Sequence, residues 1–346
     1  MRQVYVIAPD RFDDPDRPSG GNVYDRRICA GLAEAGWDVH VVTVAGPWPA
    51  GDCVELARII AAIPDGETVL IDGLIASPSA AQLLPHAERL RLTVLLHMPL
   101  ALAGQHTAAM PRSERAVLDA AAGVVVTSQW TRRQVLTRFA IPPDRVRVAR
   151  PGVDRADVAP GRAAGRHLLC VGTLARHKGQ DLLVEALAQL ADTDWTCLLV
   201  GPLDREPAFV DQLRGRVARL GLGDRVRLTG ALTGSTLDRA YAKADLLVVP
   251  SRFDTYGMVV AEALAHGRPV VATDVGGLPE ALGLAPDGSR PGELVPPDDV
   301  SALASTLACW LRDERYRNRL GQAALQRRST LPGWDRTVHD LAEALR

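Results

Sequence analysis

The chain has 346 residues, of which 47% are hydrophobic, and its formal net charge is -1. This length and apolar content suffice for two domains, and the near-neutral charge argues against nucleic-acid binding, which usually needs a basic excess. The N-terminal apolar run is too short for a signal peptide, and no apolar stretch is long enough to cross a membrane. The five cysteines form no C-x-x-C pair. Together these features predict a soluble, cytoplasmic protein with reduced thiols, for which membrane association is disfavoured.

In the first half of the chain, short runs rich in branched residues alternate with amphipathic stretches. The predicted strands are 4–7, 39–44, 68–71, 92–96 and 123–127. Continuous apolar runs separated by helices are what a parallel sheet covered on both faces requires. This half therefore predicts an open α/β domain.

The same alternation starts again in the second half. The predicted strands are 168–171, 196–200, 226–228, 246–249, 269–272 and 292–295. Between the two halves, Pro151 to Gly165 is rich in Pro, Gly, Asp and Ala and has no hydrophobic period, as expected of a linker. At the end, Trp334 to Arg346 has the apolar spacing of an amphipathic helix. The sequence thus predicts an α/β protein with two Rossmann-like domains facing each other across a cleft.

The most specific motif runs from Pro250 to Gly267. It places two acids eight positions apart, Asp254 in a loop and Glu262 in the helix that follows. A carboxylate at Glu262 could accept hydrogen bonds from the two vicinal hydroxyls of a ribose. Three residues at the start of the helix have backbone N–H groups that could bind a phosphate: Gly257, Met258 and Val259. A helix cap at Asp254 or Thr255, with Glu262 at the edge of the core, explains the same pattern.

This segment resembles the E-x7-E motif of the fourth glycosyltransferase family, the group 1 glycosyltransferases, which are retaining enzymes of the GT-B fold. The resemblance implies that Asp254 contacts hydroxyls of the donor sugar and that Glu262 binds the ribose of the nucleotide. Asp254 stands where the family usually has Glu. The reach is therefore shorter by one methylene, and the sugar preference stays open.

The resemblance covers nearly the whole chain and implies a division of labour between its parts. Residues 1–155 are expected to form the N-terminal, acceptor-binding domain. Residues 156–332 are expected to form the C-terminal domain, which binds the nucleotide sugar, and 333–346 a helix that returns to the N-terminal domain.

Ser19 to Thr43 is similar to the family's glycine loop, helix and second strand. The resemblance implies that a diphosphate approaches the amides of Gly20 and Gly21, which have no side chain in the way. An ordinary turn accounts for two adjacent glycines equally well.

Val171 to Gly179 is similar to the family loop whose cations neutralise the leaving diphosphate. Lys178 matches the family lysine and is one of only two lysines among the 40 basic residues. Thr173, a predicted donor-binding position, stands where the family often has Arg, and Arg176 is expected to take part of that role. Two solvated loop cations are the alternative.

His97 directly follows the predicted strand 92–96, at the carboxyl end of the sheet, where α/β proteins bind ligands. The resemblance implies that it lies beside the anomeric carbon or the primary hydroxyl of the donor sugar. A histidine satisfied within the core is the alternative.

Transfer with retention passes through an oxocarbenium-like state, so the protein must position the substrates and neutralise the leaving diphosphate. The residues expected to do this are His97, Lys178, Arg176 and Asp254. We expect no metal and no cofactor, a UDP- or GDP-sugar as co-substrate, and a small soluble acceptor. A non-catalytic nucleotide-sugar-binding protein or an epimerase of the same fold remains the alternative. A dinucleotide-dependent oxidoreductase is disfavoured because no G-x-G-x-x-G follows the first strand.

Overall fold

The computed structural model describes residues 2–10, 12–14, 18–46, 48–50, 53–102, 110–158 and 165–346. The chain divides into two compact units. The first unit comprises Met1–Asp14, Gly20–Gly152 and Pro332–Arg346, and the second comprises Pro15–Ser19 and Val153–Leu331. The middle of the predicted linker, residues 159–164, lies outside the described residues.

The first unit is built on a six-stranded parallel sheet with the order β2-β1-β3-β4-β5-β6. Its strands are β1 Arg2–Pro9, β2 Trp37–Val44, β3 Thr68–Asp72, β4 Arg91–Leu96, β5 Gly123–Val126 and β6 Val146–Val148. Its helices up to this point are α1 Gly20–Glu34, α2 Cys53–Ala62, α3 Gly73–Ala76, α4 Ala80–Leu83, α5 Met110–Ala120 and α6 Gln129–Phe139. Successive residues of β3 point into two different hydrophobic clusters. Val69 and Ile71 belong to one cluster, and Leu70 belongs to the other. Both faces of the sheet are therefore buried, which explains the uninterrupted apolar runs in the sequence.

The second unit repeats this plan with the order β12-β11-β10-β7-β8-β9, again all parallel. Its strands are β7 His167–Val171, β8 Thr196–Val200, β9 Val226–Gly230, β10 Leu246–Val249, β11 Val270–Thr273 and β12 Gly292–Val295. Its helices are α7 Gln180–Ala188, α8 Pro207–Arg219, α9 Gly234–Lys243, α10 Met258–Ala265, α11 Leu278–Leu282, α12 Val300–Arg312 and α13 Glu314–Arg328. The strand order reverses between β7 and β10, which is the kind of position at which open α/β sheets bind ligands.

The last helix, α14 Trp334–Ala344, belongs to the first unit although it follows the second in sequence. Val338 and Leu341 lie in the same hydrophobic cluster as Tyr24 of α1. The Thr337 hydroxyl donates a hydrogen bond to the Arg150 carbonyl at 2.7 Å.

Among the described residues, no helix combines the length and the apolar character needed to cross a membrane.

Candidate functional site

Two loops of the second unit follow the strands on either side of the reversal in strand order. The lysine loop, residues 172–179, follows β7, and the acidic loop, residues 250–257, follows β10. They contain the residues that the sequence assigns to the diphosphate and to the donor sugar. Because both loops leave the carboxyl ends of neighbouring parallel strands, their side chains meet at one edge of the sheet.

Lys178 and Asp254 form an ion pair between the two loops. The Lys178 ammonium donates to Oδ2 of Asp254 at 2.7 Å, and the backbone N–H of Tyr256 donates to Oδ1 at 3.3 Å. The Asp254 side chain is only 9% exposed, and that of Lys178 is 26% exposed. A carboxylate this deeply buried is stable only with such partners. The structure thus brings together two of the predicted site residues.

Arg252, in the acidic loop, bonds to the lysine loop and to the first turn of α7. Its guanidinium donates two hydrogen bonds to Asp181, at 2.8 and 2.9 Å, and one to the Arg176 carbonyl at 2.7 Å. Although burial acts to raise the pKa of Asp181, the hydrogen bonds and charge of Arg252 lower it. Arg252 also binds Asp298 at 2.7 Å. Arg252 could not be predicted from the sequence, because nothing local distinguishes it from the many other arginines.

Arg176 and Thr173 are also in the lysine loop, but their contacts are made by the backbone. The Arg176 N–H donates to Glu206 at 3.1 Å, and its side chain is exposed. The Thr173 carbonyl accepts a hydrogen bond from the side chain of Gln180 at 3.0 Å. Of the two cations predicted for the diphosphate, Lys178 is the one that the structure pairs with another predicted residue.

Helix α10 begins directly after the acidic loop, with Gly257 as its N-cap at φ +87° and with no side-chain cap. The alternative in which Asp254 or Thr255 caps this helix is therefore wrong. The positive φ of Gly257 favours glycine, and a Cβ at this position would lie 2.4 Å from Cδ2 of Leu278, which would have to move. The first N–H groups of α10, at Met258 and Val259, have no side-chain cap and suit an anion.

Glu262, one turn into α10, is held by a tyrosine that the sequence analysis missed. The Tyr241 hydroxyl donates to Oε2 of Glu262 at 2.6 Å. Burial raises the pKa of Glu262, the hydrogen bond from Tyr241 opposes that rise, and Asp154 and Asp238 add to it. The environment of Glu262 thus shifts its pKa, and the hydrogen bond from Tyr241 fixes the orientation of its carboxylate.

A glycine turn braces the acidic loop. Gly276 has a φ of +59°, and a Cβ there would lie 1.7 Å from the Asp254 carbonyl oxygen. The next residue, Gly277, donates its N–H to the same carbonyl at 3.0 Å. The backbone of Asp254 is thus fixed by a contact that tolerates no side chain.

In the first unit, His97 lies directly after β4 and forms part of a buried cluster. Its Nε2 is 2.8 Å from Oδ1 of Asp25 on α1. The edge of the Tyr24 ring packs against the imidazole, with the centroids 5.1 Å apart. Asp72, at the end of β3, caps α3 by accepting the Leu74 N–H at 2.6 Å. The sequence analysis identified His97 but neither of the two carboxylates beside it.

The charges of this cluster are strongly coupled. Burial by itself would lower the pKa of His97, but Asp25, followed by Asp72, raises it to about 9. Burial and the Asp25 charge raise the pKa of Asp72 to about 7. Among the described residues, these three have ligand atoms close enough to enclose a cation, all within 4.8 Å of one another. The 2.8 Å contact between His97 and Asp25 and the raised pKa of His97 both favour the imidazolium at neutral pH.

Gly20 and Gly21 form the first turn of α1. The helix therefore begins at these two glycines, and the binding of a diphosphate by their amides stays a prediction. A Cβ on Gly21 would lie 3.4 Å from Cδ2 of His97. The start of α1 thus lies beside the imidazole, at a distance that would give a Cβ an ordinary van der Waals contact.

The segment after His97 is held by Glu114, which the sequence analysis also missed. This carboxylate is fully buried and accepts the N–H groups of Leu100 and Ala101, both at 2.8 Å, and the hydroxyl of Ser77 at 2.9 Å. It therefore ties the loop after β4 to the loop after β3. Residues 11, 15–17 and 103–107 of the predicted acceptor-binding domain lie outside the described residues.

Comparison with known proteins gives matches to both units. The family model Glycosyltransferase Family 4 matches residues 18–157, and the model Glycosyl transferases group 1 matches residues 165–313. A D-inositol 3-phosphate glycosyltransferase from Pseudarthrobacter chlorophenolicus is 30% identical over 92% of this chain and 88% of its own length. A protein of the same name from Kineococcus radiotolerans is 34% identical over 67% of this chain, and the match spans 59% of that relative.

Two solved structures resemble the chain over its whole length. Sucrose-phosphate synthase from Thermosynechococcus elongatus has a TM-score of 0.81 at 24% identity, covering 99% of this chain and 98% of its own. The Anabaena protein HepE, solved in complex with UDP and glucose, has a TM-score of 0.79 at 20% identity, covering 100% and 99%. With the two six-stranded parallel sheets, these likenesses confirm the predicted GT-B fold.

Proposed function

This chain belongs to glycosyltransferase family 4, the group 1 glycosyltransferases, and on that premise we propose that it transfers a sugar from a nucleotide-diphosphate donor to an acceptor hydroxyl. We propose further that the reaction retains the anomeric configuration and needs neither a metal nor a cofactor beside the donor. The observation that carries the proposal is the 2.7 Å ion pair of Lys178 with Asp254, formed where the strand order reverses and next to the uncapped start of α10.

Lys178 and the start of α10 have the charge that a leaving diphosphate requires. An ammonium has three N–H donors, so Lys178 can keep Asp254 as a partner while it donates to phosphate oxygens. The uncapped N–H groups of α10 add partial positive charge at the same place. Asp254, held in position by Lys178, Tyr256 and the glycine turn, is assigned to hydroxyls of the sugar, and Glu262 to the ribose.

The proposed reaction requires no general base from the protein. The bond between the anomeric carbon and the diphosphate oxygen breaks, and the acceptor oxygen bonds to the same face of that carbon. The acceptor proton passes to the leaving phosphate oxygen, so that the products are a glycoside and a nucleoside diphosphate. His97, which we assign to the transferred sugar, is not required as a base in this scheme, and its raised pKa favours the protonated form, which cannot accept a further proton.

The acceptor proposed here is a small hydroxylated molecule. The relatives named D-inositol 3-phosphate glycosyltransferases make inositol phosphates the first acceptors to test. UDP- and GDP-sugars are the first donors.

The central experiment measures nucleoside diphosphate release from a donor panel, with and without acceptor. Glu262→Ala should lower kcat/KM by about tenfold to a hundredfold, since it removes a hydrogen bond to a charged group. Glu293→Ala is the matched control, because Glu293 also accepts a tyrosine hydroxyl in the second unit, at 3.2 Å from Tyr316. Equal activity of the wild type and Glu262→Ala would remove Glu262 from the donor site.

The same samples separate the alternatives. UDP or GDP, but not NAD, should raise the melting temperature of the wild type, because a ligand that binds only the native state stabilises it. Stabilisation without release for any donor and acceptor would indicate a binding protein, and conversion of the donor sugar without acceptor an epimerase. Retention is checked by the anomeric configuration of the product, and metal independence by activity in excess EDTA.

A further inference from the structure

We infer that Tyr241 is a positioning residue for Glu262, which it holds so that a single carboxylate oxygen, Oε1, is left to bind the ribose of the nucleotide. The inference rests on the proposed function, because that function assigns Glu262 to the ribose. It goes further in making ribose recognition depend on a tyrosine that itself need not touch the ligand.

The first support is the way in which Tyr241 is fixed. It lies on α9, is 2% exposed, and donates its hydroxyl to Oε2 of Glu262 at 2.6 Å. Its ring stacks on His266, with centroids 5.2 Å apart and an interplanar angle of 16°. His266 is the C-cap of α10, four residues after Glu262. The hydroxyl and the ring of Tyr241 therefore both contact residues of α10 or its C-cap, and α10 is the helix that carries Glu262.

The second support is the asymmetry between the two carboxylate oxygens. Oε2 accepts the short hydrogen bond from the buried tyrosine, as expected of a charge-assisted contact. Within the part of the chain that the structure describes, no hydrogen bond is recorded to Oε1, and Glu262 keeps a partly exposed surface. Oε1 is therefore the oxygen with its full acceptor capacity available for the ribose hydroxyls.

The third support is electrostatic. Burial, Asp154 and Asp238 all act to raise the pKa of Glu262, and the Tyr241 hydrogen bond is the contact that acts against them. Without the hydroxyl, the carboxylate would be buried beside two other acids with no donor of its own. It would then rotate toward water or take up a proton, and either change removes a fixed acceptor for the ribose.

The test compares ribose and deoxyribose ligands. Calorimetry on the 346-residue protein measures Kd for UDP and GDP and for their 2′-deoxy and 3′-deoxy forms, in the wild type and in Tyr241→Phe. In the wild type we expect loss of a ribose hydroxyl to weaken binding about tenfold or more, as for hydrogen bonds to a charged group. In Tyr241→Phe the ribonucleotides should weaken about tenfold and the deoxy forms less than about twofold, so that the discrimination is lost.

Two further variants keep the result specific. Tyr316→Phe removes the other tyrosine-to-glutamate hydrogen bond of the second unit, 3.2 Å from Tyr316 to Glu293, and should leave discrimination at the wild-type value. Glu262→Gln should abolish discrimination by itself, and Tyr241→Phe added to it should have no further effect. This last comparison keeps the inference testable even if Tyr241→Phe alone is too unstable to purify.

The outcomes are distinct. A weakening in Tyr241→Phe that is equal for ribose and deoxyribose ligands overturns the inference, since it indicates a structural role only. An additive loss in the double variant overturns it as well. If the wild type binds neither UDP nor GDP, the proposed donor site fails and the inference fails with it.

Discussion

Lys178 is one of two lysines in the chain, and its ammonium lies 2.7 Å from a carboxylate that is 9% exposed. Two demands meet at this side chain. Asp254 needs a cation to remain charged in a buried position, and the proposed reaction needs one to neutralise the leaving diphosphate. A single residue meets both demands because the ammonium has three donors.

The first prediction follows from this double role. Lys178→Ala should lower kcat by roughly 100- to 1000-fold, the usual effect of removing one donor from a developing negative charge. It should also lower the free energy of unfolding of the second unit by about 1–3 kcal/mol, because Asp254 loses its partner. Steady-state release assays and urea unfolding measure the two effects. Lys243→Ala, which changes the other lysine, is the control; if it lowers kcat as much, the assignment of Lys178 is wrong.

The limits of sequence reasoning are clear at the residue scale. Lys178, Asp254 and Glu262 could be predicted because each lies in a motif of neighbouring residues. The partners of Glu262 and His97 could not, because Tyr241 is 21 positions from Glu262 and Asp25 is 72 positions from His97. Such pairs are formed by the packing of helices against strands, and no local pattern distinguishes one of 41 acidic residues from the others.

The second prediction concerns the charge on His97. With Asp25 present, the pKa of His97 is raised to about 9. In Asp25→Asn, burial still lowers the pKa of His97, and only the charge of Asp72 remains to raise it. The pKa should therefore fall by more than about one unit. NMR of carbon-13-labelled histidine rings measures the titration, and His97→Gln identifies the resonance. Asp245→Asn, which removes the buried acid 3.1 Å from His167, should leave the His97 titration unchanged; an unchanged titration in Asp25→Asn would contradict the pairing.

The same coupling predicts the direction of pH dependence. His97 stabilises the fold fully below 6.5, its usual pKa, and this stability is lost as the pH rises through about 9. Asp72 acts in the same direction, with stability that is present below 3.8 and lost as the pH rises through about 7. Unfolding of the wild type by urea should therefore become easier from about pH 6 to pH 9.5, and this slope should be smaller in Asp25→Asn.

At the scale of elements, the long apolar strands could be predicted to within one or two residues, and the short elements could not. Strand β6, Val146–Val148, has three residues and follows a proline-containing turn, so its hydrophobic run is too short to stand out. Helices α3 and α4 have four residues each. Elements of this size are formed by tertiary contacts and capping more than by their own periodicity.

The third prediction tests how the two loops are held together. Arg252→Ala removes the hydrogen bonds that connect the acidic loop to Asp181 and to the Arg176 carbonyl. The two loops should then lose their fixed spacing. Binding of UDP or GDP would have to order them, and this free-energy cost should raise Kd about tenfold, as measured by calorimetry. A drop in stability of about 2 kcal/mol is expected with it, since Asp181 loses two hydrogen bonds and keeps the more distant Arg216, at 4.0 Å.

Arg312→Ala is the matched control for Arg252. Arg312 also bonds to both oxygens of one aspartate, Asp192, at 3.1 and 2.9 Å, but both side chains are more than half exposed. A pair so open to solvent contributes about 1 kcal/mol or less. If Arg252→Ala and Arg312→Ala bind the nucleotide equally well, the two loops do not depend on Arg252.

At the scale of the whole molecule, the chain enters the second unit at Val153 and returns to the first at Pro332. The amphipathic period predicts the closing helix α14, whereas its return to the first unit came from the family resemblance. The structure gives the physical reason for the return. Leu341 of α14 is fully buried in the cluster that also contains Ile28 and Leu32 of α1. The first unit therefore completes its core with residues that follow the second unit in sequence.

The fourth prediction follows from this arrangement. Leu341→Ala should destabilise the first unit by about 2–5 kcal/mol, the usual cost of a buried leucine truncated to alanine. Leu325→Ala on α13, where the leucine is 48% exposed, should cost less than about 0.5 kcal/mol. Hydrogen exchange read by mass spectrometry assigns the loss to each unit. Peptides from α1 and β1 should lose protection in Leu341→Ala, whereas peptides from β7 and β10 should keep it. Equal loss in both sets would show that the two cores unfold as one, and unchanged protection near α1 would show that α14 is not needed to close the first core.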